Sequence, residues 1–406
     1  MRRVSLLAAG LVLTGFNLRI AVASVPPLLK DLERNLKDLE RNPGMSTAVA
    51  GLLTSLPVLC FGLGALVAAP LARRRGGEAA LVVAVVPICI GTLVRAAGSA
   101  GALFAATVLA GVGVAVANVL VPAVIKARFP SRIGPLMGVY TGLLGTGAAV
   151  AGGLAVPLEH GLGWQGSLAV WSAPAALALV VLGVAVFRDA TPASVRGGVG
   201  DVRALLRNRL AWQVTVFFGV QSAIFYSGLT WLPSILRDHG FSPTTAGVLN
   251  SVYALVGIPA SLLAPVLATR RVDQRRLVIG FAGLEPLAIA GLLLAPGAAA
   301  AWVPVFAIGQ GGTFALTLTL MVLRAPDARR SAELSGMAQA LGYTVAALGP
   351  FLVGVLHAAE GGWTAPLLFL LALGVPMLAA GIPAGRARFV PPSRDERGTL
   401  PAGATG

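Results

Sequence analysis

The sequence predicts an all-α membrane protein of about twelve transmembrane helices in two parallel six-helix repeats. Composition, the spacing of apolar spans and the placement of positive charge carry that prediction. Of 406 residues, 56% are hydrophobic and only 12% charged, with a mean hydropathy of +0.83, outside the range of soluble globular chains. Apolar spans of about twenty residues, the length a helix needs to cross a bilayer, recur at 4–29, 46–72, 79–98, 100–124, 135–158, 166–187, 211–236, 246–269, 277–296, 300–323, 333–357 and 365–385. Glycine (51) and proline (27) fall inside these spans as well as between them, as helices packed against helices tolerate. The net charge of +15 does not point to nucleic acid, because it alternates by loop. With the N-terminus inside, cytoplasmic segments hold Arg2, Arg3, Arg73–Arg75, Lys126, Arg128, Arg132, the Arg188–Arg209 stretch, Arg270, Arg271, Arg275, Arg276, Arg324, Arg329, Arg330 and the C-terminal arginines. The positive-inside rule then predicts a multi-pass protein of the cell (inner) membrane with both termini cytoplasmic.

The first span carries Asn17-Leu18-Arg19 about two-thirds of the way across, at roughly 1.5 Å per residue. A guanidinium keeps its proton, and at the helix centre it costs about 2.5–3.5 kcal/mol on insertion scales. Arg19 is therefore the first candidate site residue, with Gly15 and Ala23 as small neighbours on its face. Asn17 lies about 200° away on a helix. Met-Arg-Arg before an apolar run imitates a signal peptide, but Asn17 and Arg19 are foreign to such a run and cleavage is not expected. The first outside loop repeats itself, Lys30–Asn35 echoed by Lys37–Asn42, with balanced charge suited to helical pairing. Cys60 and Cys89 fall within predicted helices and are expected to be packing residues.

Later elements repeat earlier ones. Ala50-Gly51-Leu52-Leu53-Thr54-Ser55, leading to Leu71-Ala72-Arg73-Arg74-Arg75, returns 196 residues on as Ala246-Gly247-Val248-Leu249-Asn250-Ser251, leading to Leu267-Ala268-Thr269-Arg270-Arg271. Gly111 and Gly113 match Gly309 and Gly311, and Gly138, Ala149 and Leu158 match Gly336, Ala347 and Leu356, all 198 residues on. Six helices per copy, each copy starting inside, make the repeats parallel. The expected division is an N-terminal bundle over 1–187, a cytoplasmic linker over 188–210, a C-terminal bundle over 211–385, and a disordered cytoplasmic tail over 386–406.

Two six-helix halves with basic loops after helices 2 and 8 resemble the major facilitator superfamily. Pro70 to Gly77 looks like a degraded form of its usual Gly-x-x-x-Asp-Arg-x-Gly-Arg loop, without the aspartate. More narrowly, several segments resemble the cyanate and 2-nitroimidazole transporter (CynX/NimT) family. They are Asn17-Leu18-Arg19, Leu56-Pro57-Val58-Leu59-Cys60-Phe61-Gly62, Phe218-Gly219-Val220-Gln221-Ser222 with Phe225-Tyr226 and Trp231-Leu232-Pro233, Gly309-Gln310-Gly311-Gly312, and Met337 to Tyr343 with Leu348-Gly349-Pro350-Phe351. The likeness covers roughly residues 5–385. It implies that helices 1, 4, 7 and 10 line a central cavity, 2, 5, 8 and 11 flank it, and 3, 6, 9 and 12 face lipid.

The polar residues respect that division. The expected substrate-binding set is Arg19, Asn17, Asn118, Gln221, Tyr226, Gln310, Gln339 and Tyr343. Ser222 and Tyr226 share a face, as do Gln310, Thr313 and Thr317, and Gln339 and Tyr343. Such residues also glue helices together at about 1 kcal/mol per hydrogen bond. Arg95, near the outer end of helix 3, is read as structural and snorkelling. Glu285, about nine residues into a peripheral helix, is expected to be protonated or paired with a cytoplasmic arginine, with proton coupling as its functional reading. His160, His239 and His357 have no ligand-like spacing, so no metal is expected, and no cofactor.

The expected function is secondary active transport of a small polar or anionic solute by alternating access, with Arg19 as charge anchor. The resemblance implies cyanate-like or nitroheterocycle-like solutes, and the tyrosines suit a flat one. The expected partners are that solute, the lipid bilayer and, as coupling ion, protons; the carrier is read as a monomer. A multidrug or metabolite efflux carrier of the same fold is the alternative, although a cation exporter calls for an acidic cavity. A transporter-like membrane sensor is the alternative from another class. An enzyme is not expected, since the spans hold no His-x-x-His cluster, nucleophile elbow or carboxylate dyad. The absence of a Gly-x-x-x-x-Gly-Lys-Ser/Thr loop argues against an ATP-driven pump.

Overall fold

The computed structural model describes residues 2–28, 32, 47–187 and 202–392. The duplicated loop at 30–42, most of the linker and the end of the tail lie outside the described residues. Twelve long helices follow in chain order: α1 (Arg2–Ala23), α2 (Thr47–Arg75), α3 (Gly77–Val94), α4 (Ala100–Arg128), α5 (Ile133–Ala169), α6 (Ser172–Phe187), α7 (Arg209–Asp238), α8 (Pro243–Thr269), α9 (Arg275–Leu294), α10 (Ala299–Leu323), α11 (Ala328–Glu360) and α12 (Thr364–Ala384), with a short helix at Val202–Leu206. No strand occurs among the described residues.

Two boundaries differ from the sequence reading. α1 stops at Ala23, six residues before the end of the apolar span, because Pro26 and Pro27 divert the chain into a 3-10 turn. α5 runs past the expected end of the fifth span and breaks at Gly163, whose φ of 69° is left-handed backbone open to glycine.

The packing repeats with the sequence. In the first half α2 packs on α4, α1 on α5 and α6, and α3 on α4 and α6. In the second, α8 packs on α10, α7 on α11 and α12, and α9 on α10 and α12. Every pair recurs six helices later, as parallel repeats require. The halves meet through α5 against α8 and α2 against α11, two seams exchanged by the same repeat. Gly138 and Gly336 hold equivalent places in them: a Cβ on Gly138 would stand 2.3 Å from the Leu262 carbonyl oxygen, and one on Gly336 3.2 Å from that of Ala65. The Gly111/Gly113 match holds in kind but not in order. Gly111 meets α2 at Cys60 and Gly113 meets α3 at Ala84, whereas Gly309 meets α9 at Leu284 and Gly311 meets α8 at Gly257.

α4 and α10 are the most enclosed spans, with 83% and 78% of their apolar windows buried, so they form the wall between each half and the centre. Large apolar side chains face outward from the peripheral helices, among them Ile90 and Leu93 on α3, Leu177 and Val180 on α6, Ile279 and Leu287 on α9, and Val375 on α12. In water such a belt would be unfavourable, and in lipid it is neutral. Arg95 does not snorkel. It is buried, and its guanidinium donates to the Ala21 carbonyl at the end of α1 and, over 3.2 Å, to Thr107 Oγ1.

The seams tighten at the end that carries the Arg73–Arg75 run. There Gly134 packs on Thr269, and Lys126 Nζ donates to the carbonyl oxygens of Val322, at 2.6 Å, and Ala325, at the close of α10. At the opposite end Gly152 and Gly153 on α5 and Gly247 on α8 have no neighbour within 4 Å of a built Cβ. The contacts between the described halves thus gather toward the basic end. Glu78, where α3 begins, is buried and bonded bidentately to Arg128, putting a carboxylate beside the loop that lacks its aspartate.

Candidate functional site

Arg19 reaches from α1 into the space between the halves, where it is half-buried. Its Nη1 donates to the Tyr226 hydroxyl on α7 at 3.1 Å, bridging the two halves. The guanidinium carbon lies 5.6 Å from the Phe314 ring centroid on α10 and 6.0 Å from that of Phe61 on α2, within cation–π range. The phenols of Tyr226, Tyr343 and Tyr140 lie within electrostatic reach of its charge. Among the described residues no carboxylate pairs with it.

The surrounding shell is held by short residues and shared hydrogen bonds. Gly15, one turn before Arg19, has no Cβ because Tyr140 occupies the place; a Cβ would stand 2.8 Å from Tyr140 Cδ2. Tyr140 donates to Asn118 Oδ1 at 2.9 Å, and Gln339 Nε2 donates to the Asn118 carbonyl at 3.4 Å, tying α5, α4 and α11 together. Asn118 Nδ2 is buried without a hydrogen-bond partner. Tyr343 is wedged against Phe61, at 5.2 Å between centroids, and edge-on to Phe218 at 5.1 Å. That wedge needs α7 and α11 to touch, and a Cβ on Gly219 would stand 3.0 Å from Gly342 Cα.

The sequence-derived set therefore divides. Arg19, Tyr226 and Tyr343 stand together, and Asn118 and Gln339 lie behind Tyr140 on the same side. Asn17 is not among them. Its amide is buried and donates to the carbonyls of Leu13 (2.8 Å) and Pro174 on α6 (3.0 Å), away from Arg19, as the 200° offset demands. Gln221 and Gln310 also differ from the expected lining role. Both are buried and hydrogen-bonded to each other at 2.7 Å, and Gln310 Nε2 donates to Glu285 Oε2 at 2.7 Å. Thr313 is buried on the Glu285 side of α10, and the Thr317 hydroxyl is taken by the Phe314 carbonyl. Glu285 is fully buried, and among the described residues no arginine pairs with it.

Sequence reasoning missed Phe61, Phe314 and Tyr140 as neighbours of Arg19. Phe61 sits inside a quoted motif, Tyr140 lies on a flanking helix, and Phe314 follows Gln310 by one turn. Their aromatic character marked them no more strongly than the other phenylalanines of the apolar spans.

The family description Major Facilitator Superfamily matches residues 7–348. The chain belongs to this superfamily. It is 38% identical over 382 residues to the 2-nitroimidazole transporter of Escherichia coli (strain K12), covering 94% of this chain and 95% of that one. It is 37% identical to the uncharacterized transporter YycB of Bacillus subtilis (strain 168), at 96% of each chain. It is 31% identical to the cyanate transport protein CynX of E. coli K12, at 87% and 90%. These likenesses place it in the cyanate and 2-nitroimidazole transporter family. Among solved structures, the proton:xylose symporter XylE aligns over 96% of this chain and 98% of its own, with a TM-score of 0.72 at 16% identity, a likeness of fold. The protein is a multi-pass membrane transporter of a small molecule, not an enzyme.

Proposed function

We propose that this transporter carries a small, flat anionic or nitro-bearing solute, cyanate-like or nitroheterocycle-like, by alternating access, with Arg19 as charge anchor. The observation that carries the reading is a half-buried guanidinium between the halves, bonded to a phenol, faced by aromatic rings and paired with no carboxylate among the described residues. A guanidinium offers five donors in a planar fork, and in this site one bond is to Tyr226. An anion in the same space would take the remaining donors at charge-assisted strength, and a planar solute would stack on Phe61, Phe314 or Tyr343. Behind Tyr140, Asn118 Nδ2 is a buried donor still without a partner. The names of the two E. coli relatives agree with such a solute.

In this proposal the bundles 1–187 and 211–385 rock about the α5/α8 and α2/α11 seams, with 188–210 as their cytoplasmic joint and the monomer as the working unit. With the basic end cytoplasmic in the cell membrane, the Lys126 and Gly134 contacts close the carrier on the cytoplasmic side. A positive cavity disfavours export of cationic drugs. The direct test is binding of cyanate and of 2-nitroimidazole to purified protein, read as a rise in melting temperature with concentration. A rise for either in wild type that is lost in Arg19→Ala supports the proposal, and no rise for both refutes this solute class.

A further inference from the structure

We infer that Glu285 is a proton-binding site that couples proton movement to transport, its charge state reaching α7 through Gln310 and Gln221. The inference rests on the transport function proposed above and adds the coupling ion and its seat.

Glu285 lies midway along α9 with no exposed surface. The groups facing it decide its chemistry. α10 and α12, the helices packed most closely on α9, carry no titratable side chain along their whole lengths. α8 contributes Tyr253, which is within electrostatic reach and donates its hydroxyl to the Phe225 carbonyl at 3.4 Å. On α9 itself Arg275 and Arg276 open the helix, about 14 Å away along its axis at 1.5 Å per residue. The one titratable side chain in the middle of α7, Tyr226, is turned to Arg19. A carboxyl that only glued helices would be served as well by glutamine, which places no ionisable group in an apolar core.

The hydrogen bonds suit both protonation states. Gln310 Nε2 donates to Oε2 at 2.7 Å whether or not the acid is ionised. Glu285 Oε1 and the neighbouring Thr313 Oγ1 are both buried and neither is otherwise bonded. A hydroxyl rotates to donate or accept, so Thr313 can receive the acid's proton or donate to the carboxylate. From there the chain is continuous. Gln221 Nε2 donates to Gln310 Oε1 at 2.7 Å, Gln310 Nε2 lies 3.5 Å from the Gln221 carbonyl, and Ser222 Oγ donates to Gln221 Oε1 at 3.2 Å. Ser222 is one helical turn from Tyr226, the residue that holds Arg19. The amides carry no proton along this chain. They fix the position of α7 against α10, and ionisation of Glu285 changes the strength of that tie.

Charge balance gives the direction. In the empty carrier Arg19 and an ionised Glu285 are separate charges, bonded to Tyr226 and to Gln310 and not to each other, and together they leave the membrane core with no net charge. When an anion neutralises Arg19, the carboxylate becomes the uncompensated charge and takes up one proton, –COO⁻ plus H⁺ giving –COOH. The loaded core then crosses with no added net charge, so the coupling is symport of one proton with one anion.

The experiment uses the full chain in liposomes, with radiolabelled cyanate as probe, and compares wild type with Glu285→Gln in two assays. In wild type an inside-alkaline gradient is expected to drive accumulation, and equilibrium counterflow to proceed without one. Glu285→Gln is expected to keep counterflow within about twofold and to lose gradient-driven accumulation and the pH dependence of uptake. Retained accumulation in the variant overturns the inference. So does a variant that fails to fold, because the amide reproduces the shape and bonds of the neutral acid. Absence of counterflow in wild type would refute cyanate transport instead. In that case infrared spectroscopy of the protein decides the proton site. The carbonyl stretch of a buried carboxylic acid, titrating with pH and lost in Glu285→Gln, upholds it, and its absence in wild type overturns it.

Discussion

Lys126→Met tests whether the closed basic end is held by a specific latch. The Lys126 ammonium ends α4 and donates to the carbonyl oxygens of Val322, at 2.6 Å, and Ala325, where α10 gives way to its loop. Those carbonyls have lost their helical donors, and the end of the α10 dipole adds to their attraction for a cation. Two hydrogen bonds to a charged donor cost about 1.5–3 kcal/mol each when one partner is removed from a dry site. When the halves part, water takes over both partners, so the net contribution to closure is nearer 1 kcal/mol per bond, about 2 kcal/mol in all. At 1.4 kcal/mol per tenfold, that is roughly a 30-fold shift of the closed-to-open ratio at this end. The assay is pulsed electron resonance between spin labels at Arg132 and Arg271, in detergent and in nanodiscs. The variant should show a longer-distance population that is minor in wild type. An unchanged distribution would mean that the α5/α8 and α2/α11 seams alone keep the end shut, and the latch argument would fail.

Other perturbations follow from the same geometry. Tyr226→Phe removes the oxygen that receives Arg19 and should weaken cyanate binding about tenfold, the worth of one hydrogen bond to a charged group, while the solute-free protein loses only about 1 kcal/mol for that bond; equal affinity would contradict a role in the site. Gly138→Val places side-chain atoms where the Leu262 carbonyl lies 2.3 Å from a Cβ, so the seam cannot close and transport should be lost while the protein still inserts, as surface expression and uptake together would reveal. Cysteine at Ser194 should resist impermeant thiol reagents in intact cells, and ready labelling there would overturn the orientation.

Much of the architecture is written in one-dimensional patterns. Twelve spans, the positive-inside bias and the 198-residue echo of Gly138 in Gly336 needed no tertiary information, because bilayer thickness and repeat symmetry act directly on sequence. Arg19 was legible for the same reason, since a cation in an apolar span stands out. What could not be read was azimuth. Gln310 and Thr313 share a face with each other, but helical period does not say whether that face looks into the cavity or toward α9, and it looks toward Glu285. The same ambiguity made Glu285 look peripheral, though α9 turns it inward against α10. Asn17 was the easier case, because its angle from Arg19 already barred it from a shared site on a regular helix. Phe61 and Phe314 were hidden by composition, since an apolar span offers no contrast against which a phenylalanine stands out.

The central claim is that the charge on Arg19 is matched by the solute and not by the protein. It is tested most directly by melting Arg19→Ala with and without cyanate. Removing the side chain removes an insertion cost of about 3 kcal/mol and forfeits about 1 kcal/mol for the Tyr226 bond and about 1 kcal/mol for the two ring contacts. The solute-free variant should then melt no lower than wild type, and cyanate should no longer stabilise it. A structural ion pair would leave a buried partner uncompensated at roughly 3–5 kcal/mol. A strongly destabilised solute-free variant, or one that keeps the full cyanate-induced shift, would contradict the account.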